Sequence, residues 1–94
     1  MNLTEEIHAR LQSLHPSHLE IRDDSALHAG HAGNNGGGHF QLTMVSPAFT
    51  GKPTLARHRL VYQLLADLMP HRIHALSMQV YASDEAFKHQ ALAI

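Results

Sequence analysis

Histidine is the residue type in this sequence most able to do chemistry, because the 94 residues include ten histidines and no cysteine. Three of them, His28, His31 and His39, fall within the segment HAGHAGNNGGGHF at positions 28–40, together with five glycines. Neutral imidazole is a good ligand for zinc, copper and iron. Without cysteine the chain forms no disulfide and no all-thiolate site, so a metal held here has nitrogen or oxygen ligands unless a partner supplies sulfur.

Hydrophobic periodicity predicts the elements that must position these histidines. It indicates helix, strand, strand, helix, strand and helix, at positions 3–14, 18–23, 39–46, 55–69, 73–81 and 83–94. This order predicts an α+β fold with one three-stranded mixed sheet covered by helices. The chain is predicted to form a single domain over 1–94, with a glycine- and histidine-rich loop at 24–38.

Local signals refine these elements. Thr4, Thr54 and Ser83 are predicted to be the N-caps of the three helices. Leu55 is predicted to face the core from the second helix. Strict alternation places Ile73 on the opposite face of the third strand from Leu76, Met78 and Val80.

The topology predicts which histidines become neighbours. A strand, crossover helix and strand unit is normally parallel, so the third strand should run parallel to the second and antiparallel to the first. His39 then begins the second strand, His74 begins the third, and His28 and His31 lie in the loop that leaves the first. All four are expected at one edge of the sheet.

The other histidines are not predicted to be ligands, because a lone surface histidine is more often solvated or hydrogen-bonded. These are His8, His15, His18, His58, His71 and His89. His58 and His71 could add positive charge near a partner when protonated.

Motifs for catalysis and for phosphate binding are absent from the sequence. There is no G-x-S-x-G elbow and no thiol nucleophile, and the run NNGGGH is neither a Walker A loop nor G-x-G-x-x-G. Asp23 and Asp24 are adjacent, so their side chains point to opposite sides of an extended segment and are expected to form a turn. The sequence therefore predicts a binding module and not an enzyme.

Charge gives one local feature and no global one. The formal net charge is −1, which gives no overall attraction to nucleic acid. Lys52, Arg57, Arg59 and Arg72 lie on or beside the second helix, where they form either a solvated face or a surface for nucleic acid or a partner. No apolar run is long enough to span a bilayer and the first residues are acidic, so a cytoplasmic protein without a membrane partner is expected.

Two motifs carry a resemblance to a known family. The segment VSPAFTGKPTLARHRLVY, followed by IHALSM, resembles the signature of the BolA-like family, in which V-S-x-x-F-x-G-K leads into R-H-R-x-V-Y and a later strand begins with histidine. The pieces EIRDDSALHAGHAG and GGGHF match the first strand, the loop and the second strand of that family. The resemblance covers positions 3–87.

The resemblance implies a fold similar to the class II KH domain and a partnership with monothiol glutaredoxins. The implied complex is a heterodimer that shares a 2Fe-2S cluster with the glutaredoxin and glutathione, for cluster trafficking and maturation or for iron and redox regulation. The family's ligand at the start of the third strand corresponds to His74. The second ligand corresponds to His28 by spacing, with His31 as the alternative. The free protein is expected to be a monomer.

A second hypothesis is a DNA-binding transcriptional regulator of the stress and morphology response, which would use Lys52, Arg57, Arg59 and Arg72. The sequence departs from KH modules here, because the glycine segment after the second strand, FTGKPT, does not reproduce the GXXG loop that clamps RNA. A third hypothesis is a stress or cell-shape factor that acts through protein contacts alone.

Overall fold

Three α-helices and three β-strands make up the described part of the fold, with short 3-10 turns between them. The computed structural model describes residues 2–25 and 38–92, with side chains as far as Lys88. We number the elements α1 (Leu3–Leu11), β1 (His18–Asp23), β2 (Gly38–Val45), α2 (Thr54–Leu65), β3 (Ile73–Tyr81) and α3 (Asp84–Leu92). The predicted order of elements is confirmed, and β1 and β3 have the predicted bounds.

The helix caps agree only in part with the predictions. Asn2 caps α1 through a capping box, in which its side chain accepts from the backbone N–H of Glu5 and the Glu5 side chain accepts from the N–H of Asn2. The prediction of Thr4 was therefore wrong. Pro53 is the N-cap of α2, without a side-chain cap, so Thr54 was also wrong. Ser83 Oγ accepts from the N–H of Ala86, as a cap of α3 should.

The sheet is mixed, in the strand order β1-β2-β3. β1 pairs antiparallel with β2, with Ile21 opposite Leu42. β2 pairs parallel with β3, so the predicted topology is confirmed. The last residues of β1, the first residues of β2 and the first residues of β3 therefore lie at the same end of the sheet.

The core lies between one face of the sheet and helices α1 and α2. Alternate residues of β2 are buried there, and side chains from both helices pack against them. The buried apolar residues include Ile7, Leu11, Phe40, Leu42, Met44, Phe49, Val61, Leu65, Leu68 and Ile73.

Two predictions about facing were wrong. Leu55 lies in the first turn of α2 and is 62% exposed, because the buried side of this helix is the one carrying Val61 and Leu65. Ile73 is 0% exposed and packs in the same core as Leu76, although simple alternation places these two residues on opposite faces. An irregularity in β3, described below, accounts for the second case.

Helix α3 lies against the other face of the sheet at its far end. The Phe87 ring stacks on His18, with centroids 4.8 Å apart, and lies 5.3 Å from the Tyr81 ring. Ser17 Oγ donates to Asp84 at 2.8 Å, which ties the start of α3 to the chain before β1. Among the described residues, no helix has both the length and the apolar composition to cross a bilayer.

Candidate functional site

His74 occupies an irregular position at the start of β3. Gly38 pairs with Ile73, but the next residue of β2, His39, pairs with Ala75. His74 is therefore an extra residue on β3, which is a β-bulge. The bulge resets the alternation, so Ile73 and Leu76 both face the core, and the His74 side chain is exposed.

His39 lies beside His74 across the two strands. Their ring centroids are 5.2 Å apart with the ring planes at 45°. The backbone of His39 is fixed by the end of β1, because its N–H donates to Ser25 Oγ at 3.1 Å and its carbonyl accepts from Asp24 N–H at 2.7 Å. The fold thus brings together two imidazoles that are 35 positions apart in the sequence.

Gly38 permits the close approach of strands next to this pair. Its N–H donates to the carbonyl of Arg72 at 2.9 Å. A Cβ at position 38 would lie 2.3 Å from Cε2 of Phe40 and 3.2 Å from the Arg72 carbonyl oxygen. The lack of a side chain is therefore a packing requirement at this position.

Hydrogen bonds hold the two acidic side chains at the end of β1. Asp23 accepts from the N–H of Ser25 at 2.9 Å, which is the turn predicted for this pair of acids. Hydrogen bonds from the Ser25 side chain and then from its backbone lower the pKa of Asp23, and burial opposes them weakly. Asp24 accepts two hydrogen bonds from Arg22, at 2.8 and 3.2 Å.

The predicted ligands divide into those that the structure places and those that it does not. His74 lies in the bulge with His39 beside it, whereas His28 and His31 lie outside the described residues. Within 2–25 and 38–92, no group of three histidine or acidic side chains is arranged to hold a metal ion. At this site the described part of the chain therefore offers the imidazoles of His39 and His74. Further ligands would come from the rest of the chain or from a partner.

The sequence predicted His39 at this end of the sheet but did not identify it as a ligand. The signal was its position at the start of β2, the strand to which β3 is joined in parallel. The bulge at His74, which brings the two rings side by side, left no signal in the local pattern.

The four predicted basic residues do not form one patch. Arg57 donates to the Lys52 carbonyl at 2.7 Å and to the Val80 carbonyl at 3.4 Å, so this pair lies toward the end of β3. Arg72 precedes the start of β3 and bonds to Glu6 of α1 at 3.1 Å. Arg59 is exposed on α2.

Comparisons with known proteins agree with this fold. The family model described as BolA-like protein matches residues 11–85. The chain is 36% identical over 86 residues to the DNA-binding transcriptional regulator BolA of Escherichia coli. The alignment covers 90% of this chain and 80% of that protein. It is 47% identical over 73 residues to SufE-like protein 1 of Arabidopsis thaliana, covering 71% of this chain but only 20% of that longer protein.

Solved structures give the same result. BolA1 from Arabidopsis thaliana superposes with a TM-score of 0.75 at 39% identity, covering 86% of this chain and 92% of that chain.

Proposed function

The chain belongs to the BolA-like protein family, and on that premise we propose that it is a non-enzymatic partner of a monothiol glutaredoxin. In this proposal the two proteins form a heterodimer that shares a 2Fe-2S cluster as cargo. The work is cluster trafficking and maturation, or iron and redox regulation. We place the protein in the cytoplasm, where glutathione is available as a ligand. In the absence of its partner, the protein is proposed to be a monomer.

The observation that carries the proposal is the exposed imidazole of His74 beside that of His39. An exposed ligand in a strand bulge is accessible to a cluster held by another protein. His39 is half-buried and fixed through its backbone, so it limits where the His74 ring can lie. Two imidazoles with no third ligand among the described residues suit a site that a partner completes.

The chemistry of the donors fits such a cluster. Histidine can replace cysteine on one iron of a 2Fe-2S centre, and this replacement raises the reduction potential. His74 would be one ligand, and His28 or His31 the second, with His39 as a further candidate because it lies next to His74. The thiolates would come from the glutaredoxin cysteine and from glutathione, since this chain has no cysteine.

The test is the visible absorption and circular dichroism spectrum of the protein mixed with a cluster-loaded monothiol glutaredoxin and glutathione. We expect wild type to change the spectrum of the loaded glutaredoxin, and His74→Ala to leave it unchanged. His71→Ala is the matched control, because His71 is also exposed and lies just before β3. An identical spectral change with wild type and His74→Ala would contradict the proposal.

The second ligand can be assigned in the same assay. His28→Ala, His31→Ala and His39→Ala are compared one at a time, and the variant that restores the spectrum of the glutaredoxin alone identifies the ligand.

A second candidate function is DNA binding, which the names of relatives favour. The proteins of Escherichia coli and Vibrio cholerae that match this chain are both called DNA-binding transcriptional regulator BolA. Lys52 and Arg59 are exposed near the start of α2 and could contact phosphates, with Arg57 between them.

Salt dependence tests this second candidate. Each phosphate contact contributes a slope of about −0.9 to the plot of log affinity against log salt concentration. Arg59→Ala should reduce the magnitude of the slope by about one. Arg57→Ala is the less informative variant, because Arg57 also bonds to the carbonyls of Lys52 and Val80. A slope of zero for wild type would exclude phosphate contacts.

A further inference from the structure

Beyond the bulge at His74, the outer edge of β3 lacks the charged residues and the proline that usually protect an edge strand. β3 has nine residues and contains no lysine, arginine, acidic residue, proline or glycine; His74 is its one titratable group apart from the Tyr81 phenol. The opposite edge strand, β1, is shorter and carries Glu20, Arg22 and Asp23. Long, uncharged edges readily pair with another strand, and proteins normally block them with charge or proline.

Two hydrogen bonds show which backbone groups point outward. The Tyr81 carbonyl accepts from the N–H of Ser46, which follows β2, so the backbone groups of Tyr81 point toward β2. The Val80 carbonyl accepts from Arg57, a residue outside the sheet, and so points outward.

The same orientation extends back along β3. Because backbone groups alternate sides along a strand, Leu76 and Met78 share the outward direction of Val80. Within the described part of the chain, no strand pairs with this edge. The N–H and C=O groups of Leu76 and Met78 therefore form a short ladder open to another strand.

The side chains along this edge also leave room for a strand. Leu76, Met78 and Val80 are only half-buried against the core, although they face the helix layer. Ser77 and Gln79 are exposed on the other face. An added strand with small or apolar side chains would cover the first set, and it would meet no charge along the middle of β3.

We propose that this edge accepts an extended segment of the cluster-carrying partner as a fourth strand of the sheet. The proposal rests on the proposed function, because His74 lies near the start of β3 and a strand paired along β3 lies next to that ligand. The Arg57 guanidinium lies at the other end of the open ladder. The fitting segment is therefore uncharged along its length, with a carboxylate where it meets Arg57.

A second copy of this chain fits the edge less well. Antiparallel pairing of two β3 strands about Ser77 sets Leu76 of one copy opposite Met78 of the other. The same register sets Val80, with Arg57 bound to it, opposite His74 of the other copy. Each copy would then place a guanidinium against an imidazole and supply no carboxylate.

Amide hydrogen exchange followed by NMR tests the proposal on the wild-type protein. The probe is a cluster-loaded monothiol glutaredoxin. We expect exchange at the amides of Leu76 and Met78 to slow at least tenfold on its addition. The amides of Ser77 and Gln79 point toward β2, so their exchange should change much less and they serve as internal controls.

A variant tests the same contact without the cluster. Met78→Pro removes one outward N–H at an edge position where proline is tolerated, and Met78→Leu keeps that N–H with a similar side-chain volume. We expect Met78→Pro to weaken glutaredoxin binding about tenfold or more and Met78→Leu to have little effect. Circular dichroism checks that both variants are folded.

The outcomes separate the two proposals. A changed cluster spectrum without protection at Leu76 and Met78 would overturn the edge contact and leave cluster sharing intact. Protection without a spectral change would support the edge contact and count against cluster sharing. Protection that rises with protein concentration in the absence of glutaredoxin would identify a second copy as the occupant and overturn the proposed partner. No protection and no spectral change would overturn both.

Discussion

Gly38 is the single position where an added methyl group should disturb the histidine pair most directly. Its Cβ would meet the ring of Phe40, which is buried in the core, and the Arg72 carbonyl just before His74. We expect Gly38→Ala to lower the free energy of unfolding by about 1–3 kcal/mol, the usual range for overpacking. Urea denaturation followed by circular dichroism measures this change.

Gly51→Ala provides the matched control for that substitution. Gly51 has a φ of 74° and open space around its Cβ position, so alanine there suffers backbone strain of about 1 kcal/mol without a clash. Both variants should be destabilised, but only Gly38→Ala should shift the imidazole NMR signals of His39 and His74. Equal effects on those signals, or none in Gly38→Ala, would show that the approach at Gly38 does not position the pair.

Ser25 controls the titration of the acid at the end of β1. Its side-chain and backbone hydrogen bonds lower the pKa of Asp23, so the ionised form is favoured in the folded state. The stabilisation is present above the pH where free aspartate titrates, about 4, and is lost as pH falls through the lower folded pKa.

The variant Ser25→Ala should raise the pKa of Asp23 toward its ordinary value. The stabilisation by ionised Asp23 should then be lost at a higher pH than in wild type. Carbon-13 NMR titration of the Asp23 carboxyl group measures the shift, with Ser77→Ala, on the opposite edge strand of the sheet, as a control. An unchanged pKa in Ser25→Ala would assign the lowering to another cause.

At the scale of elements, the strands were the most predictable part of the fold. The alternation of Leu19 with Ile21, and of Leu76 with Met78 and Val80, marks faces that are half-buried, and β1 and β3 begin and end where predicted. Helix starts were less predictable. Asn2 and Glu5 satisfy each other's backbone groups in a capping box, and this reciprocal arrangement prevailed over the isolated signal of Thr4.

The bulge at His74 is the main feature that the local pattern could not give. Whether one strand carries an extra residue depends on hydrogen bonds to the neighbouring strand, here the pairing of Gly38 with Ile73 and of His39 with Ala75. Topology alone sufficed to predict that His39 and His74 lie near the starts of adjacent strands. Hydrophobic periodicity likewise gives no reason to prefer His28 or His31 as the second ligand in the proposed function.

Arg10 joins helix α1 to the end of α2. Its guanidinium bonds to Glu6 on its own helix, to both carboxylate oxygens of Asp67 and to the Leu64 carbonyl. The hydrogen bond from Arg10 is the main cause of the lowered pKa of Asp67. This set of contacts holds the two helices of the core layer together at one end.

Arg10→Met should therefore lower the thermal midpoint at low ionic strength. Methionine keeps much of the side-chain volume but removes the charge and all the donors. The difference from wild type should narrow in 1 M salt, because exposed ion pairs are screened. Arg59→Met, on an exposed part of α2, is the control and should have little effect. A difference that is independent of salt would mean that Arg10 acts mainly by packing.

At the scale of the whole molecule, the histidine pair and the contacts of α3 lie at opposite ends of the sheet. The His39–His74 pair lies where β2 and β3 begin, and Phe87 of α3 packs on His18 and Tyr81 where β3 ends. His74 and Tyr81 are seven residues apart along β3, a distance of about 23 Å at 3.3 Å per residue. Stability contributed at the α3 end should therefore be separable from the cluster binding that we propose for the histidine end.

Phe87→Ala tests this separation. Loss of the ring removes the contacts that hold α3 against His18 and Tyr81. Because Phe87 is half-buried, we expect the free energy of unfolding to fall by about 2 kcal/mol, below the range for a fully buried phenylalanine. Lys88→Ala, which is exposed on the same helix, should be nearly neutral. At temperatures where both variants are folded, the spectrum with loaded glutaredoxin should match wild type. If folded Phe87→Ala lost the spectral change that His74 is proposed to produce, α3 would contribute to the partner contact and the two ends would act as one surface.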